Sequence, residues 1–234
     1  MKINFTLEEF VTSQSYISRR DLLTFIKQGN VSVNNQLIYD LKAEINAKND
    51  TVVINGEFIQ FQFDYLYYKF FKPKGILSTM EDPNGRSCIG DYIRSLGLPL
   101  VPVGRLDRAS SGLIILTNDG QLSHKLMHPS FECEKVYHVT LEKKMSKINL
   151  DRLKAGFILE DGPVVFLRVD EISDQEFVLS INEGRNRLIR RSFEHFGSYV
   201  SELKRLQIGD VDLKGLVKGD IVPLSADELY SLQH

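Results

Sequence analysis

Short strand-like segments, separated by turn residues, constrain this chain more than any other feature of its sequence. Several of them flank turn dipeptides that are typical of β-hairpins, namely Asn34-Asn35, Asn55-Gly56 and Asp161-Gly162. Segments with helical spacing are dispersed among the strands and do not alternate with them regularly. This order predicts an α+β fold built on a mostly antiparallel sheet.

The first sixty residues have the pattern of a small module. Thr6 can cap a helix over LEEFVTS, Ser18 can cap a second over RRDLLTFIKQ, and Gly29 can end it. The hairpin segments VSVNNQLI and TVVINGEFI follow. We therefore expect a helix-helix-strand domain over residues 1–60, a boundary near residue 63, and a larger domain over 64–234.

The second of these helices carries Arg19, Arg20 and Lys27, whose spacing allows all three to share one face. Such a face is usually a solvated surface. Two later segments, 69–125 and 183–206, are net basic although the whole chain has a formal charge of -2, and if they meet in the fold they form a local patch that attracts phosphates. From charge alone, ordinary surface variation is the more common explanation.

Composition excludes several classes of protein. The two cysteines suggest neither a disulfide framework nor a zinc site, and the five histidines lack metal-ligand spacing. No apolar run approaches the ~20 residues that cross a bilayer. The N-terminal sequence MKINFTLEEF lacks a signal-peptide core. These observations favour a cytoplasmic location and predict no contact with membranes.

The polar connection GRLDRASSG lies between the apolar runs VPV and LIIL and contains one aspartate, Asp107. Connections of this kind are where a scaffold presents functional groups. The neighbouring Arg105 and Arg108 favour an ionised carboxylate, which is the form that acts as a nucleophile or base. Taken alone, however, an aspartate in a turn is more often a cap or a hydrogen-bonded turn residue.

The segment NRLIRRSFEHF, residues 186–196, predicts a helix with two different faces. The apolar face consists of Ile189, Phe193 and Phe196. The neighbouring basic face consists of Arg187, Arg190 and Arg191. These faces together suit a planar base with its phosphates. The alternative is a solvated arginine face paired with Glu194.

The segment EKVYHVTL predicts a strand that places Lys135, Tyr137 and Val139 on one side. Tyr137 could stack on a nucleobase, as aromatic residues do in many RNA sites. A tyrosine that packs in the sheet core is the more common explanation.

Several ordered motifs together resemble the RsuA/RluB-type pseudouridine synthases, and the branch that acts on large-subunit ribosomal RNA most of all. The motifs are Lys72-Pro73-Lys74-Gly75, Gly104-Arg105-Leu106-Asp107, Ser111-Gly112-Leu113, Leu116-Thr117-Asn118-Asp119-Gly120, Leu126-Met127-His128-Pro129-Ser130, Lys135-Val136-Tyr137, Leu159-Glu160-Asp161-Gly162-Pro163, Glu183-Gly184-Arg185-Asn186-Arg187 and Ile189-Arg190-Arg191. The chain departs from the family pattern at Ala109, Ser110, Leu188 and Ser192. The N-terminal segment SRRDLLTFIKQGNVSVNN resembles the RNA-binding domain named after ribosomal protein S-four.

The resemblance implies isomerisation of a uridine in RNA to pseudouridine, without a cofactor or metal. It implies that Asp107 is the catalytic carboxylate, paired with Arg190, and that Tyr137 stacks on the uracil. Ile189 would line the pocket, and Arg105 would fill the space that the flipped nucleotide leaves. The residues implied to contact the RNA are Arg19, Arg20, Lys27, Arg187 and Arg191.

The expected partner is ribosomal RNA, first from the large subunit, with the small subunit and transfer RNA as alternatives. We expect a monomer. A rival hypothesis on the same scaffold is a non-catalytic RNA-binding protein of ribosome assembly. A carboxylate-based hydrolase is less compatible with the sequence, because no second carboxylate is paired with Asp107 along the chain.

Overall fold

A computed structural model of the protein describes residues 2–62, 64–131 and 133–234. The predicted boundary near residue 63 coincides with Phe63, which lies outside the described residues. None of the described helices is both long enough and apolar enough to cross a membrane. The chain is mixed α and β with a mostly antiparallel sheet, which confirms the predicted class.

The N-terminal part contains two helices and two small sheets. Its elements are β1 (Asn4–Thr6), α1 (Leu7–Gln14), α2 (Arg19–Lys27), β2 (Val31–Val33), β3 (Gln36–Leu37), β4 (Glu44–Asn46), β5 (Val52–Ile54) and β6 (Glu57–Ile59). Thr6 and Ser18 cap the two helices as predicted, each accepting from a backbone N–H of the first turn. The β2–β3 and β5–β6 hairpins turn at the predicted Asn-Asn and Asn-Gly pairs.

These elements enclose their own apolar cluster, which includes Phe10, Leu22, Ile45 and Ile54. The pairing of β1 with β4 was not predicted from the sequence. It joins two short segments that are about forty residues apart, and neither has a pattern of its own.

The larger part of the chain is organised around a nine-stranded sheet. Its elements are β7 (Tyr67–Lys72), α3 (Ile89–Arg94), β8 (Val101–Val103), β9 (Ser111–Thr117), α4 (Gly120–Met127), a short 3-10 helix (Pro129–Phe131), β10 (Lys135–Leu141), α5 (Lys147–Ala155), β11 (Phe157–Leu159), β12 (Gly162–Val164), β13 (Arg168–Glu171), β14 (Glu176–Ile181), α6 (Leu188–His195), β15 (Val200–Ile208), β16 (Val211–Asp212), β17 (Ile221–Pro223) and α7 (Ala226–Gln233).

The main path of the sheet is β13-β14-β10-β15-β9-β7-β17, with β16 on β15 and β8 on β9. Among the described strands, only β9 and β15 run parallel, and their register pairs Gly112 with Arg205. A Cβ atom at Gly112 would lie 2.3 Å from the backbone oxygen of Arg205. The glycine of the Ser-Gly-Leu motif is therefore required for β9 to approach β15.

Hydrogen bonds join the N-terminal part to the end of β9. The Asn118 side-chain amide donates to the backbone oxygen of Ser13 at 2.9 Å and to that of Asp64 at 3.2 Å. Its side-chain oxygen accepts from the backbone N–H of Leu66 at 2.6 Å. Asn118 is 5% exposed. One buried amide therefore fixes the chain where the two parts meet.

Helix α6 is shorter than predicted. It begins at Leu188, and Arg187 precedes it in the left-handed conformation with φ of 49°. The expected face of Arg187, Arg190 and Arg191 on one helix is therefore wrong, because the first of these arginines lies outside the helix. The apolar side is as predicted, since Ile189, Phe193 and Phe196 are all buried.

Candidate active site

A cleft of about 1270 Å³ opens between the β8–β9 connection, the faces of β10 and β15, and the segment that enters α6. Five of the residues to which the family resemblance gives a role line it: Arg105, Asp107, Tyr137, Arg187 and Ile189. Arg190 packs behind the wall of this cleft and contacts Asp107 from there. The structure thus brings together residues that are as much as 85 positions apart in the sequence.

The connection that carries Asp107 is held by hydrogen bonds close to the carboxylate. The Ser78 hydroxyl accepts from the Leu106 backbone N–H at 3.0 Å and donates to the Leu106 oxygen at 2.7 Å. The Asp107 backbone oxygen accepts from the Ser110 N–H at 2.9 Å. The Asp107 side chain is 32% exposed, so it faces the cleft from an ordered backbone.

Lys72, at the end of β7, supports this connection from inside the protein. Its side chain is completely buried, and its ammonium donates to the backbone oxygens of Ser110, Pro73 and Asp107 at 2.8, 3.0 and 3.3 Å. Burial lowers the pKa of Lys72 to about 8, although the charge of Asp107 opposes the shift. Sequence reasoning gave Lys72 no role. The available signal was a lysine inside an apolar strand, directly before the Pro-x-Gly motif.

Two arginines approach the Asp107 carboxylate, and they are not its neighbours in sequence. Arg187 Nη1 and Arg190 Nε each lie 3.9 Å from Asp107 Oδ2. Arg108 instead donates to the Gly75 oxygen at 3.0 Å. Neither flanking arginine forms an ion pair with Asp107 in the described structure, so the expectation that Arg105 and Arg108 stabilise its charge is wrong. Arg187 and Arg190 thus place two positive charges near this carboxylate, and no described side chain forms a short hydrogen bond with its oxygens.

Arg190 is 7% exposed and is fixed mainly by backbone oxygens. Its Nη1 donates to Val200 O at 2.8 Å, and its Nη2 donates to Ala109 O and Ser110 Oγ, both at 3.3 Å. Burial, and then the charge of Arg187, lower the pKa of Arg190 from its ordinary value. The departure at position 109 therefore falls on a backbone contact, which any residue can supply. At position 110 the serine hydroxyl itself accepts from Arg190.

The other two arginines of the predicted face have separate partners. Arg187 Nη2 lies 3.6 Å from Glu194, whereas Arg191 donates to Asp161 at 2.7 Å and to the Asn186 oxygen at 2.9 Å. The alternative in which Glu194 pairs with Arg190 and Arg191 is therefore corrected, because Glu194 contacts Arg187 instead. Arg191 braces the Asp161 turn between β11 and β12.

The floor of the cleft is aromatic and apolar. Tyr137 lies on β10 at 7% exposure, and Ile189, in the first turn of α6, is 4% exposed. Leu203 and Ile208 of β15 also line this floor. Tyr137 belongs to the apolar core as well as to the cleft, so the two interpretations of this tyrosine are compatible.

The remaining carboxylates that line the cleft each contact an arginine of their own. Glu183 pairs with Arg185 at 2.6 Å and Asp82 with Arg86 at 2.8 Å, while Glu81 lies 3.4 Å from Arg94. Hydrolysis by two carboxylates needs one group that can be protonated at neutral pH. Side chains engaged by arginine are poorly suited to that role. Within the described residues no group of three or more His, Cys, Asp or Glu side chains could hold a metal ion.

The basic residues of α2 do not line the cleft. Arg19 pairs with Glu8 at 2.6 Å, while Arg20 and Lys27 are exposed and form no ion pair with any described residue. The structure therefore leaves at least two cations of this helix available to an external anion.

Comparison with known proteins adds independent support. The model of the RNA pseudouridylate synthase family matches residues 67–195. The ribosomal large subunit pseudouridine synthase B of Bacillus subtilis is 33% identical over 97% of this chain and 95% of its own length. The protein of the same name from Vibrio cholerae is 35% identical over 97% of this chain and 74% of its own.

A crystal structure of a pseudouridylate synthase superposes with a TM-score of 0.69 at 28% identity, covering 97% of this chain and 99% of that one. The family match includes the Asp107 connection, Tyr137 and all of α6. Both the sequence and the fold lead to one assignment: the chain belongs to the RNA pseudouridylate synthase family.

Proposed function

We propose that this protein converts a specific uridine of ribosomal RNA to pseudouridine, with Asp107 as the catalytic residue. The observation that carries the proposal is how arginine side chains surround this carboxylate in the cleft. Among the described acidic residues that line the cleft, Asp107 is the one whose arginine contacts are as long as 3.9 Å. Two guanidinium groups lie near this carboxylate, while its oxygens form no short hydrogen bond with any described side chain and are available to a substrate, as a nucleophile or base requires.

The reaction moves the ribose bond from N1 to C5 of the uracil. The C1′–N1 bond breaks, the uracil turns, and the C5–C1′ bond forms. C5 then loses its proton and N1 takes one up, so that the product is an isomer of the substrate. Asp107 attacks the nucleotide or removes a ribose proton. Arg190 holds the carboxylate in position, because its own guanidinium is fixed by Val200 and Ser110.

The floor of the cleft suits a uracil ring. Tyr137 provides an aromatic face for stacking, and Ile189 provides an apolar wall beside it. Because Tyr137 and Ile189 are nearly buried at the floor of the cleft, the target nucleotide has to leave its RNA stack to reach them. Flipping costs a few kcal/mol and is least costly in a loop or bulge. Arg105 then fills the space left in the RNA.

The RNA contacts are spread over two surfaces. Arg187 lines the cleft directly before α6, and Arg191 lies in the first turn of that helix. We propose residues 1–60 as an RNA-binding domain of the ribosomal-protein-S-four type and residues 64–234 as the catalytic domain. The exposed α2 cations, Arg19, Arg20 and Lys27, would contact phosphates, with Arg19 first leaving Glu8.

We propose large-subunit ribosomal RNA as the substrate, because the curated relatives with 33% and 35% identity carry that substrate in their names. The enzyme would act as a monomer in the cytoplasm. The small-subunit RNA and transfer RNA are alternative outcomes of the same test.

The test is carbodiimide-based mapping of pseudouridine in ribosomal and transfer RNA from cells with and without this protein. We expect one large-subunit site to disappear, to return with the wild-type gene, and to stay absent with Asp107→Asn. The variant is expected to fold and bind RNA normally, since asparagine keeps the shape of the side chain. Restoration of the site by Asp107→Asn would overturn the catalytic assignment. Loss of no site would favour the assembly-protein hypothesis.

A further inference from the structure

Arg205 is a buried cation on the floor of the cleft for which neither the sequence motifs nor the proposed mechanism gives a role. It lies on β15, with Tyr137 as its register partner on β10 and Gly112 as its partner on β9. Its side chain lines the same cleft as Asp107, although the residue is only 3% exposed. The close approach that Gly112 permits therefore places a guanidinium between the catalytic connection and the tyrosine.

Most of the hydrogen-bonding capacity of this guanidinium is unused. Arg205 Nε donates to the Leu113 oxygen at 2.7 Å. Its Nη2 is buried and has no acceptor among the described residues. A buried donor without an acceptor is unfavourable, and native proteins rarely retain one unless it has a use. An arginine offers five donors in a fixed fork, which matches the oxygens of phosphates and carboxylates.

The surroundings of Arg205 are also positively charged. Burial, and to a smaller extent the charge of Arg205, lower the pKa of both Lys72 and Lys135. Lys72 is satisfied by three backbone oxygens, whereas Lys135 has one described contact, to the Cys133 oxygen at 2.6 Å. In the described structure neither Arg205 nor Lys135 has a carboxylate within 4.0 Å. The positive charges in this part of the cleft are therefore not balanced by any described carboxylate nearby.

We propose that Arg205, with Lys135 beside it, binds a negatively charged oxygen of the nucleotide that enters the cleft. This inference rests on the proposed function and names a subsite of its active site. Two oxygens have the required chemistry. One is a phosphate oxygen of the target nucleotide. The other is a uracil carbonyl oxygen, which takes up charge when the C1′–N1 bond breaks and both electrons pass to the ring. That charge is returned when the ring forms the C5–C1′ bond.

The test compares Arg205→Gln, which removes the charge, with Arg205→Lys, which keeps the charge and loses the fork. Lys204→Gln is the matched control, because it removes a charge from the neighbouring position of β15, where the side chain lies over Phe71 instead of the cleft. Each protein is checked by its melting temperature and then assayed on an RNA hairpin that contains the target uridine. Binding is measured in an Asp107→Asn background, and chemistry is measured by single turnover.

The two sources of the oxygen give different results. For a phosphate, Arg205→Gln weakens RNA binding by about tenfold and the single-turnover rate at saturation is kept. For a uracil oxygen, binding is kept and the rate falls by about 100-fold, as when one donor of an oxyanion site is removed. Lys204→Gln stays close to wild type in both assays.

The inference is overturned if folded Arg205→Gln binds and reacts like Lys204→Gln. Should Arg205→Gln fail to fold, Lys135→Gln and Arg205→Lys decide by the same criteria, and wild-type values in both would reject the subsite. Wild-type protein is measured in every series. Wild-type protein that forms no pseudouridine in any RNA defeats the proposed function, whereas active wild-type protein with unaffected variants defeats only the role of Arg205.

Discussion

Replacing Lys72 with methionine tests whether its buried ammonium fixes the position of the connection that carries Asp107. The substitution keeps an unbranched side chain that is one atom shorter, and it removes the ammonium that donates to Ser110, Pro73 and Asp107. Two of these acceptors, the oxygens of Pro73 and Ser110, have no other donor among the described residues. We therefore expect the connection to move away from the end of β7.

The expected change in stability is small because two large contributions oppose each other. An unsatisfied buried oxygen costs about 1–3 kcal/mol, so two of them cost roughly 2–6 kcal/mol. Methionine also avoids the desolvation cost of a buried ammonium. The shift of the Lys72 pKa from 10.5 to about 8 corresponds to about 3 kcal/mol. The free energy of unfolding at pH 7 should therefore fall by no more than about 3 kcal/mol.

Turnover is the sensitive measurement, because a displacement of about 1 Å at a reacting group can cost roughly 100-fold in rate. We expect Lys72→Met to lower the single-turnover rate by about that factor while RNA binding is kept. Lys74→Met, the same substitution at an exposed position two residues away, is the control and should react like wild type. A Lys72→Met enzyme that keeps the rate of this control would refute the reasoning.

Four further outcomes are expected, three at the cleft and one at α2. The unfolded chain binds more protons than the folded one between pH 8 and 10.5, because the folded pKa of Lys72 is the lower. The stability of wild type relative to Lys72→Met should therefore rise by about 2 kcal/mol from pH 7 to 9.5 in urea titrations, and a flat difference would contradict the buried charge. Arg190→Lys keeps the charge but not the fork, and single-turnover rates should fall by about tenfold or more; an unchanged rate would show that charge alone suffices. Ser110→Ala should cost about 1 kcal/mol in urea unfolding, because Arg190 Nη2 loses an acceptor at 3.3 Å, whereas Ser110→Thr should not. The double variant Arg20→Gln, Lys27→Gln should weaken RNA binding and lower its salt dependence by about one unit per lost phosphate contact, with the rate at saturating RNA kept; an unchanged salt slope would remove α2 from the RNA-binding surface.

The features that the sequence predicts well are local. The caps at Thr6 and Ser18 and the turns at Asn-Asn and Asn-Gly depend on residues within a few positions of each other. The position of Asp107 between two strands is of the same kind, since the polar connection is bounded by apolar runs on both sides.

The features that the sequence did not predict depend on distant partners. The guanidinium of Arg191 contacts Asp161, 30 positions away, and no local pattern indicates this pair. The contacts of Lys72 and Arg205 are made by segments that are distant in sequence and meet only in the folded sheet. The left-handed backbone of Arg187 was equally invisible, because a polar residue before an apolar run fits a helix just as well.

The buried amide of Asn118 has a consequence for how the enzyme would select and release RNA. By joining α1 to the segment before β7, it links the part of the chain that carries α2 to the part that contains the cleft. RNA bound at the proposed α2 surface would then be presented to the cleft at the high effective concentration of a short tether, about millimolar or above. Each contact can accordingly be weak by itself, which suits a protein whose net charge is only -2. Weak contacts that act together favour a long matching RNA over short fragments, and they let the modified RNA leave once one of them is lost.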